Sequence, residues 1–306
     1  MRFRQRVVRF LVIAGLRGVT VLARLLPWKP ARAIGGGLGG AAYSLLRRER
    51  EKARKHFSLA FGDGPGKEAP DAIIRRSFEN LGKSLVEVLK LPQISSRNID
   101  RFVRFEGEGN LKAAFEGKKG VVFVTAHFGN WEIMGAALAI KGYPVNVVAA
   151  PLYDPRLDEI MKEIRAKQGI QTITRGEDRG GRKILAALKN NQILGLLIDQ
   201  DIDADGVFVD FFNRPAYTPS GAAALALKSG AAVVFGFVER DEKDFHTVRF
   251  EGPVPLTRTG DFKKDVYDNT AWFTKVIEKN VRRRPDQWVW MHNRWKTVPR
   301  ADHEHS

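Results

Sequence analysis

Val121-Val122-Phe123-Val124-Thr125-Ala126-His127-Phe128-Gly129-Asn130-Trp131-Glu132 is the stretch on which the reading of this chain turns. Val121 to Thr125 are β-branched or aromatic and follow Gly120, which predicts a short buried strand. Phe128-Gly129-Asn130 turns the chain. Trp131 to Ile140 is rich in helix formers and stops before Gly142, which predicts a helix with Asn130 as its N-cap. His127 then stands at the carboxyl end of a strand and Glu132 in the first turn of a helix, where open α/β sheets place their chemistry. Within one continuous helix a spacing of five would set the two side chains roughly 140° apart, but across a strand–turn–helix corner they can converge. A carboxylate that fixes an imidazole in one tautomer makes it a general base for a hydroxyl. The spacing alone leaves a second reading open, a strand-end histidine satisfied by a backbone carbonyl.

A length of 306 residues allows one large domain or two small ones. The absence of cysteine excludes disulfides, thiolate metal sites and a cysteine nucleophile. Six scattered histidines without a His-x-x-x-His pair argue against a metal site. The net charge of +16 is unevenly placed: residues 1–60 carry 14 Lys+Arg against 2 Asp+Glu, and the remainder 37 against 33. A basic amino-terminal region suits an anionic bilayer or a nucleic acid, and its context decides between them.

That context is apolar. Residues 3–26 interleave arginines with aliphatic residues, and Arg2, Arg6, Arg9, Arg17, Thr20 and Arg24 share a sector of about 80° on a helix. The charge-free run Phe10 to Leu16 is far short of the ~20 residues that span a bilayer, so the expectation is a basic amphipathic helix lying in the interface. Packing of that apolar side on the protein body is the alternative. Pro27 and Pro30 break the helix, and the small-residue segment 31–46 reads as a second membrane-contacting helix with close backbone packing. The basic run Arg47 to His56 lacks the interleaved aromatics of a single-strand binder, so no nucleic acid is expected. Gly62 to Gly66 forms a turn, and residues 71–91 an amphipathic helix stopped at Pro92. Residues 1–100 are thus expected to form a basic, helical, membrane-associating region, residues 101–300 an α/β domain, and residues 301–306 a tail.

From Val103 onward strand and helix patterns alternate. The predicted fold class is α/β, a central mostly parallel or mixed sheet flanked by helices, with an antiparallel edge near the end. Arg175 follows a predicted strand beside a glycine-containing loop, where a guanidinium can bind phosphate or polarise a carbonyl; a surface arginine capping the loop is the plainer alternative. Gly176 to Gly181 match neither a P-loop nor a dinucleotide fingerprint. Asp201 to Phe212 fail as an EF-hand, because the twelfth place is Phe212 and a strand precedes them. A carboxylate cluster there could hold neighbouring arginines. Phe208 to Phe212 could line an apolar channel, with Thr218 or Ser220 capping the next helix. No G-x-S-x-G elbow exists, so an acyl-transfer nucleophile would be the substrate's own hydroxyl. Trp288 to Lys296 reads as a packed aromatic strand with snorkelling cations, and a functional His292 is the alternative.

In this order the motifs resemble the late acyltransferases of lipid A biosynthesis (the lauroyl/myristoyl transferase family), within the wider His-x4-Asp/Glu glycerolipid acyltransferase superfamily. The matching pieces are Thr125 to Glu132, Arg175-Gly176, Leu197 to Asp201, Gly206 to Phe212, Pro215-Ala216-x-Thr218 and Trp288-x-Trp290-x-His292-x-Arg294-Trp295-Lys296. The resemblance covers most of the chain. It implies transfer of an acyl chain from an acyl-carrier-protein thioester to a hydroxyl of a lipid A precursor, with no cofactor, no metal and no covalent enzyme intermediate. His127 would deprotonate the hydroxyl, Glu132 would orient the imidazole, and Arg175 would bind phosphate or stabilise the oxyanion. Asn130, Trp131, Asp199, Gln200, Asp201, Phe211, Phe212, Arg214 and Thr218 would bind substrate. The implied partners are an acyl-carrier protein, a phosphorylated glycolipid and an anionic membrane surface, at the cytoplasmic face of the inner membrane. The chain departs from the family pattern at Phe235-Gly236, where a proline is usual, and at His56-Phe57, where Asn-Leu is common. Relatives in the family acylate other glycolipids, so another acceptor is the alternative, and a non-catalytic basic binding protein is the alternative from a different class.

Overall fold

A computed structural model describes residue 18, residues 20–62 and residues 68–299. The expected interfacial helix over residues 3–26 therefore lies mostly outside the described residues, as do the tail and all of the 62–66 turn beyond Gly62. Residues 20–25 are helical. Among the described residues no helix is long and apolar enough to cross a membrane.

Three helices follow residues 20–25: α1 (Trp28–Leu45), α2 (Arg47–Phe61) and α3 (Pro70–Lys90). The small residues of segment 31–46 do what their size allows. Gly35 and Gly39 of α1 are buried against α3, and a Cβ on Gly39 would come 2.2 Å from the Phe78 carbonyl oxygen. This close approach leaves Ile34, Leu38 and Leu45 on the outer side of α1, where they are exposed.

The α/β body follows as β1 (Val103–Glu106), α4 (Glu108–Glu116), β2 (Val121–Thr125), α5 (Trp131–Ile140), β3 (Val145–Ala149), α6 (Pro155–Lys167), β4 (Gln171–Thr174), α7 (Gly180–Lys189) and β5 (Ile193–Leu197). A small hairpin of β6 (Gly206–Asp210) and β7 (Pro215–Pro219) comes next, then α8 (Gly221–Ser229), β8 (Ala232–Arg240), β9 (His246–Val254) and α9 (Phe262–Arg283). The main sheet runs β1-β9-β8-β2-β5-β3-β4. All pairings are parallel except β8 with β9. The expected antiparallel pair is present near the end of the chain, but it is not the edge, because β1 closes the sheet beyond β9.

Strand alternation sends the β2 side chains to two cores. Val122 and Val124 pack with Phe57 of α2, Ala226 of α8, Phe273 of α9 and the tryptophans Trp288 and Trp290. Val121 and Phe123 pack with Leu111 of α4 and Ile133 and Met134 of α5. Every β2 residue is buried, as the run of β-branched and aromatic residues predicts for a strand covered on both faces. The segment 288–296 is not the expected strand. Apart from one bridge between Trp288 and Phe128 it is a series of turns, in which the Trp290 N–H bonds back to Trp288 and the Arg294 N–H to His292.

Candidate active site

The strands β2, β5, β3 and β4 are neighbours and parallel, and the residues after them converge at their carboxyl ends. His127 follows β2, Arg175 follows β4, and Asp199 and Gln200 follow β5. A cavity of about 770 Å³ opens beside them. Its apolar wall includes Val147 of β3, Met134 and Leu138 of α5, and Leu85 and Val88 of α3. Its polar lining includes His127, Asn130, Glu132, Arg165, Arg175, Gln200 and His292.

The turn that carries His127 is fixed residue by residue. Gly129 has φ +59°, and a Cβ there would lie 1.9 Å from the Val238 carbonyl oxygen, so only glycine fits. Its N–H donates to the Gln287 carbonyl at 2.8 Å. Asn130 caps α5 as expected, its Oδ1 accepting from the Ile133 N–H at 3.1 Å.

The carboxylate that holds His127 is Asp199. Its Oδ1 lies 2.9 Å from His127 Nδ1, and its Oδ2 accepts the His127 backbone N–H at 3.0 Å and the Trp288 indole N–H at 2.8 Å. Burial opposes ionisation of Asp199, but His127 and these donors outweigh it and bring the carboxyl down to about 2. An ionised carboxylate can only accept, so Nδ1 carries the proton and Nε2 is left as the basic atom. The imidazole is partly open to the cavity, 22% exposed, while the aspartate side chain is fully buried.

Glu132 does not take the orienting position expected of it. Trp131 faces His127, with ring centroids 4.9 Å apart, and the next residue on a helix is turned about 100° away. The Glu132 carboxylate instead pairs with both arms of Arg165 on α6, one at 2.9 Å. This pair lies on the cavity wall. Arg175 also lines the cavity, and its guanidinium has no carboxylate partner among the described residues.

The remaining expected substrate-binding residues divide. Asn130, Trp131 and Gln200 line the cavity, and Asp199 acts on it through His127. Five others do not reach it. Asp201 accepts from the backbone and hydroxyl of Thr297. Phe211 packs on Trp288, and Phe212 packs on Phe61. Arg214 donates to the Leu59 carbonyl, and Thr218 is buried against Arg294. Asp199 and Asp201 therefore hydrogen-bond to a histidine, a tryptophan and a threonine, not to arginines. Neither Phe208, Phe211 nor Phe212 lines the cavity; Phe123 does, and it occupies the space left by Gly236, where a Cβ would meet its Cζ at 1.9 Å.

Of the polar residues on the cavity wall, Arg165 went unrecognised in the sequence, and a functional His292 was only the alternative reading. Arg165 sits in an ordinary-looking helical charge pattern. His292 sits in the segment read as a packed strand, yet its ring is 5.0 Å from that of His127 and its Nε2 meets the Gln200 side-chain amide. Burial, with His127 beside it, pushes the His292 pKa down to about 3, so this ring is neutral. Arg294 does not snorkel: it is buried over the Phe211 ring, which lowers its pKa to about 10. His56, one of the departures from the family pattern, is buried with Nδ1 at 3.1 Å from the Trp290 carbonyl.

The family model described as bacterial lipid A biosynthesis acyltransferase matches residues 1–297. The lipid A biosynthesis palmitoleoyltransferase of Escherichia coli (strain K12) is 28% identical over 289 residues, 92% of this chain and 90% of that protein. The lipid A biosynthesis lauroyltransferase of the same organism is 27% identical over the same shares. The phosphatidylinositol mannoside acyltransferase of Mycobacterium tuberculosis (strain ATCC 25618 / H37Rv) is 31% identical over 201 residues, 64% of this chain and 63% of that protein.

Proposed function

The chain belongs to the bacterial lipid A biosynthesis acyltransferase family, and on that premise we propose that it moves a fatty acyl chain from an acyl-carrier-protein thioester to a hydroxyl of a lipid A precursor. The observation that carries the proposal is His127 held by the Asp199 carboxylate at 2.9 Å on the wall of an apolar cavity. His127 Nε2 takes the proton of the acceptor hydroxyl as its oxygen bonds to the thioester carbonyl carbon. The tetrahedral intermediate collapses, the C–S bond breaks, and the thiolate leaves with the proton returned by the imidazolium. The ester forms without an acyl-enzyme. Asp199 fixes the tautomer and offsets the charge that His127 gains. Arg175 faces the cavity without a carboxylate partner and is the group that binds a phosphate or the developing oxyanion. A volume of about 770 Å³ is within the range of small-molecule sites, and its aliphatic wall suits an acyl chain.

The chain works at the cytoplasmic face of the inner membrane, its basic amino-terminal side against anionic lipid. Half of the exposed large apolar side chains among the described residues fall between Val21 and Leu46, a concentration that soluble surfaces avoid. Leu85 of α3 is 62% exposed and also lines the cavity. The alternative acceptor within the same chemistry is a mannosylated phosphatidylinositol, favoured by the 31% identity to the mycobacterial transferase.

The deciding assay combines purified protein, acyl-carrier-protein thioester and a tetra-acylated, phosphorylated disaccharide lipid, with product mass as the readout. Wild type should transfer one acyl group, and His127→Ala should lose about 10²- to 10⁴-fold in rate. Equal rates would overturn the mechanism. Transfer only to a phosphatidylinositol mannoside would move the acceptor to the alternative.

A further inference from the structure

Away from the reacting atoms, one fully buried carboxylate gathers partners from three elements and from the turn that carries His127. Glu87 of α3 has no exposed surface. Its Oε1 accepts from Arg32 Nε of α1 at 2.7 Å and from one arm of Arg240 at the end of β8 at 2.7 Å. Its Oε2 accepts from the other arm of Arg240 at 2.8 Å and from Asn130 Nδ2 at 2.7 Å. His246 at the start of β9 places Nε2 3.2 Å from both oxygens. Burial opposes the charge, but His246 and Arg240 hold the carboxyl well below the usual range. Nδ1 of His246 is buried without a partner, as fits a neutral ring whose one proton, on Nε2, points at Glu87.

The Asn130 amide is the link to the site. Glu87 can only accept and the Ile133 N–H can only donate, so together they fix the amide in one orientation. Asn130 is thereby held at both ends, between His127 on one side and the first turn of α5 on the other. The same group of residues reaches the cavity a second way, since Arg240 also donates to Ser84, which lines it. A further strut comes through Gln287, whose side chain pairs with the Arg240 backbone and whose carbonyl accepts from Gly129.

We propose that Glu87 is a positioning residue for the transfer reaction: through Asn130 it sets the turn that aims His127 and Trp131 into the cavity. The proposal rests on the acyl-transfer reading of that cavity. Small errors in the placement of a reacting group cost catalysis far more than they cost binding.

The test uses the full chain and two variants. Asn130→Ser keeps an oxygen for the Ile133 N–H but cannot donate to Glu87 across the same distance; Glu87→Gln removes the charge at the other end of the bond. Each should lower kcat by about tenfold with KM for donor and acceptor within twofold of wild type. The double variant should lose no more than the worse single one, because both weaken the same bond. Losses that multiply in the double variant, a change confined to KM, or a kcat for Asn130→Ser within twofold of wild type would each overturn the proposal. If Glu87→Gln does not fold, Asn130→Ser alone decides by the same criterion. Hydrogen exchange of the amides of residues 127–133 separates this failure from failure of the functional reading. If wild type transfers no acyl group, the functional reading falls; faster exchange confined to those amides in Asn130→Ser still supports the positioning role, and unchanged exchange overturns it.

Discussion

Asp199 and Glu132 are both carboxylates near His127, and the contacts they make separate their work. Asp199 is buried, spends one oxygen on the imidazole and the other on two N–H donors, and cannot move without breaking all three bonds. Glu132 is committed to Arg165. Asp199→Asn should therefore lose about 10²-fold or more in kcat, because an amide in that place allows the wrong tautomer of His127. Glu132→Gln should cost less in kcat but about 1–3 kcal/mol in stability, because a largely buried guanidinium loses its ionic partner. Steady-state kinetics and urea midpoints on the two variants check this; a larger kcat loss in Glu132→Gln would restore Glu132 as the orienting group. The histidine was legible in the sequence because strand, turn and cap are local signals. Its partner was not, because Asp199 lies 72 residues further on and meets His127 only where β5 pairs beside β2. The five-residue spacing to Glu132 was visible, but the direction of a side chain in the first turn of a helix was not.

At the scale of elements, periodicity located the strands and helices from β1 to β5 and then α8, β8 and the start of β9, but not the β6–β7 hairpin or the long helix α9. It failed where aromatic spacing had another cause. Trp288 and Trp290 alternate like strand residues, yet each fills the aromatic cluster beneath α2, with Phe57 4.9 Å from the Trp290 ring. Five expected substrate-binding residues lie off the cavity for a related reason: Phe211 packs on Trp288, Phe212 on Phe61 and Thr218 holds Arg294, while Asp201 and Arg214 bond to Thr297 and to the Leu59 carbonyl. On α1 the small residues face α3, and the outer stripe of Ile34, Leu38 and Leu45 follows from that choice. Leu38 and Leu45 are 62% and 79% exposed, so burial in lipid would gain about 2 kcal/mol between them. Replacing both, Leu38→Glu with Leu45→Glu, should weaken binding to anionic vesicles at least tenfold while leaving the thermal midpoint within a few degrees. Unchanged sedimentation with vesicles would mean that this stripe does not touch the bilayer. Loss of binding on deleting residues 1–17 alone would place the contact in that segment instead.

The whole molecule carries its charge unevenly, a basic amino-terminal region and a nearly charge-balanced remainder, +12 in residues 1–60 against +4 in all the rest. Much of the basic run on α2 is already engaged: Arg47 with Glu51, Lys52 with Glu49, Arg54 with Asp71, and Arg50 on the Tyr43 and Ser44 carbonyls. Arg48 and Lys55 are exposed and have no ionic partner among the described residues. Such charges steer an acidic macromolecule toward the site without adding much to the bound state, so their effect belongs in the association rate and in its salt dependence. With an acyl-carrier-protein donor, kcat/KM should fall severalfold as salt rises from roughly 50 mM to about 300 mM, over which exposed charges become largely screened. The fall should reside in KM, with kcat steady. Arg48→Glu with Lys55→Glu should reproduce the high-salt value at low salt and flatten the salt dependence. Short-chain acyl thioesters of pantetheine, which lack the acidic protein, should show no such slope. If the variant keeps the wild-type slope, the donor approaches by another face, and the α2 cations serve the anionic lipid surface alone.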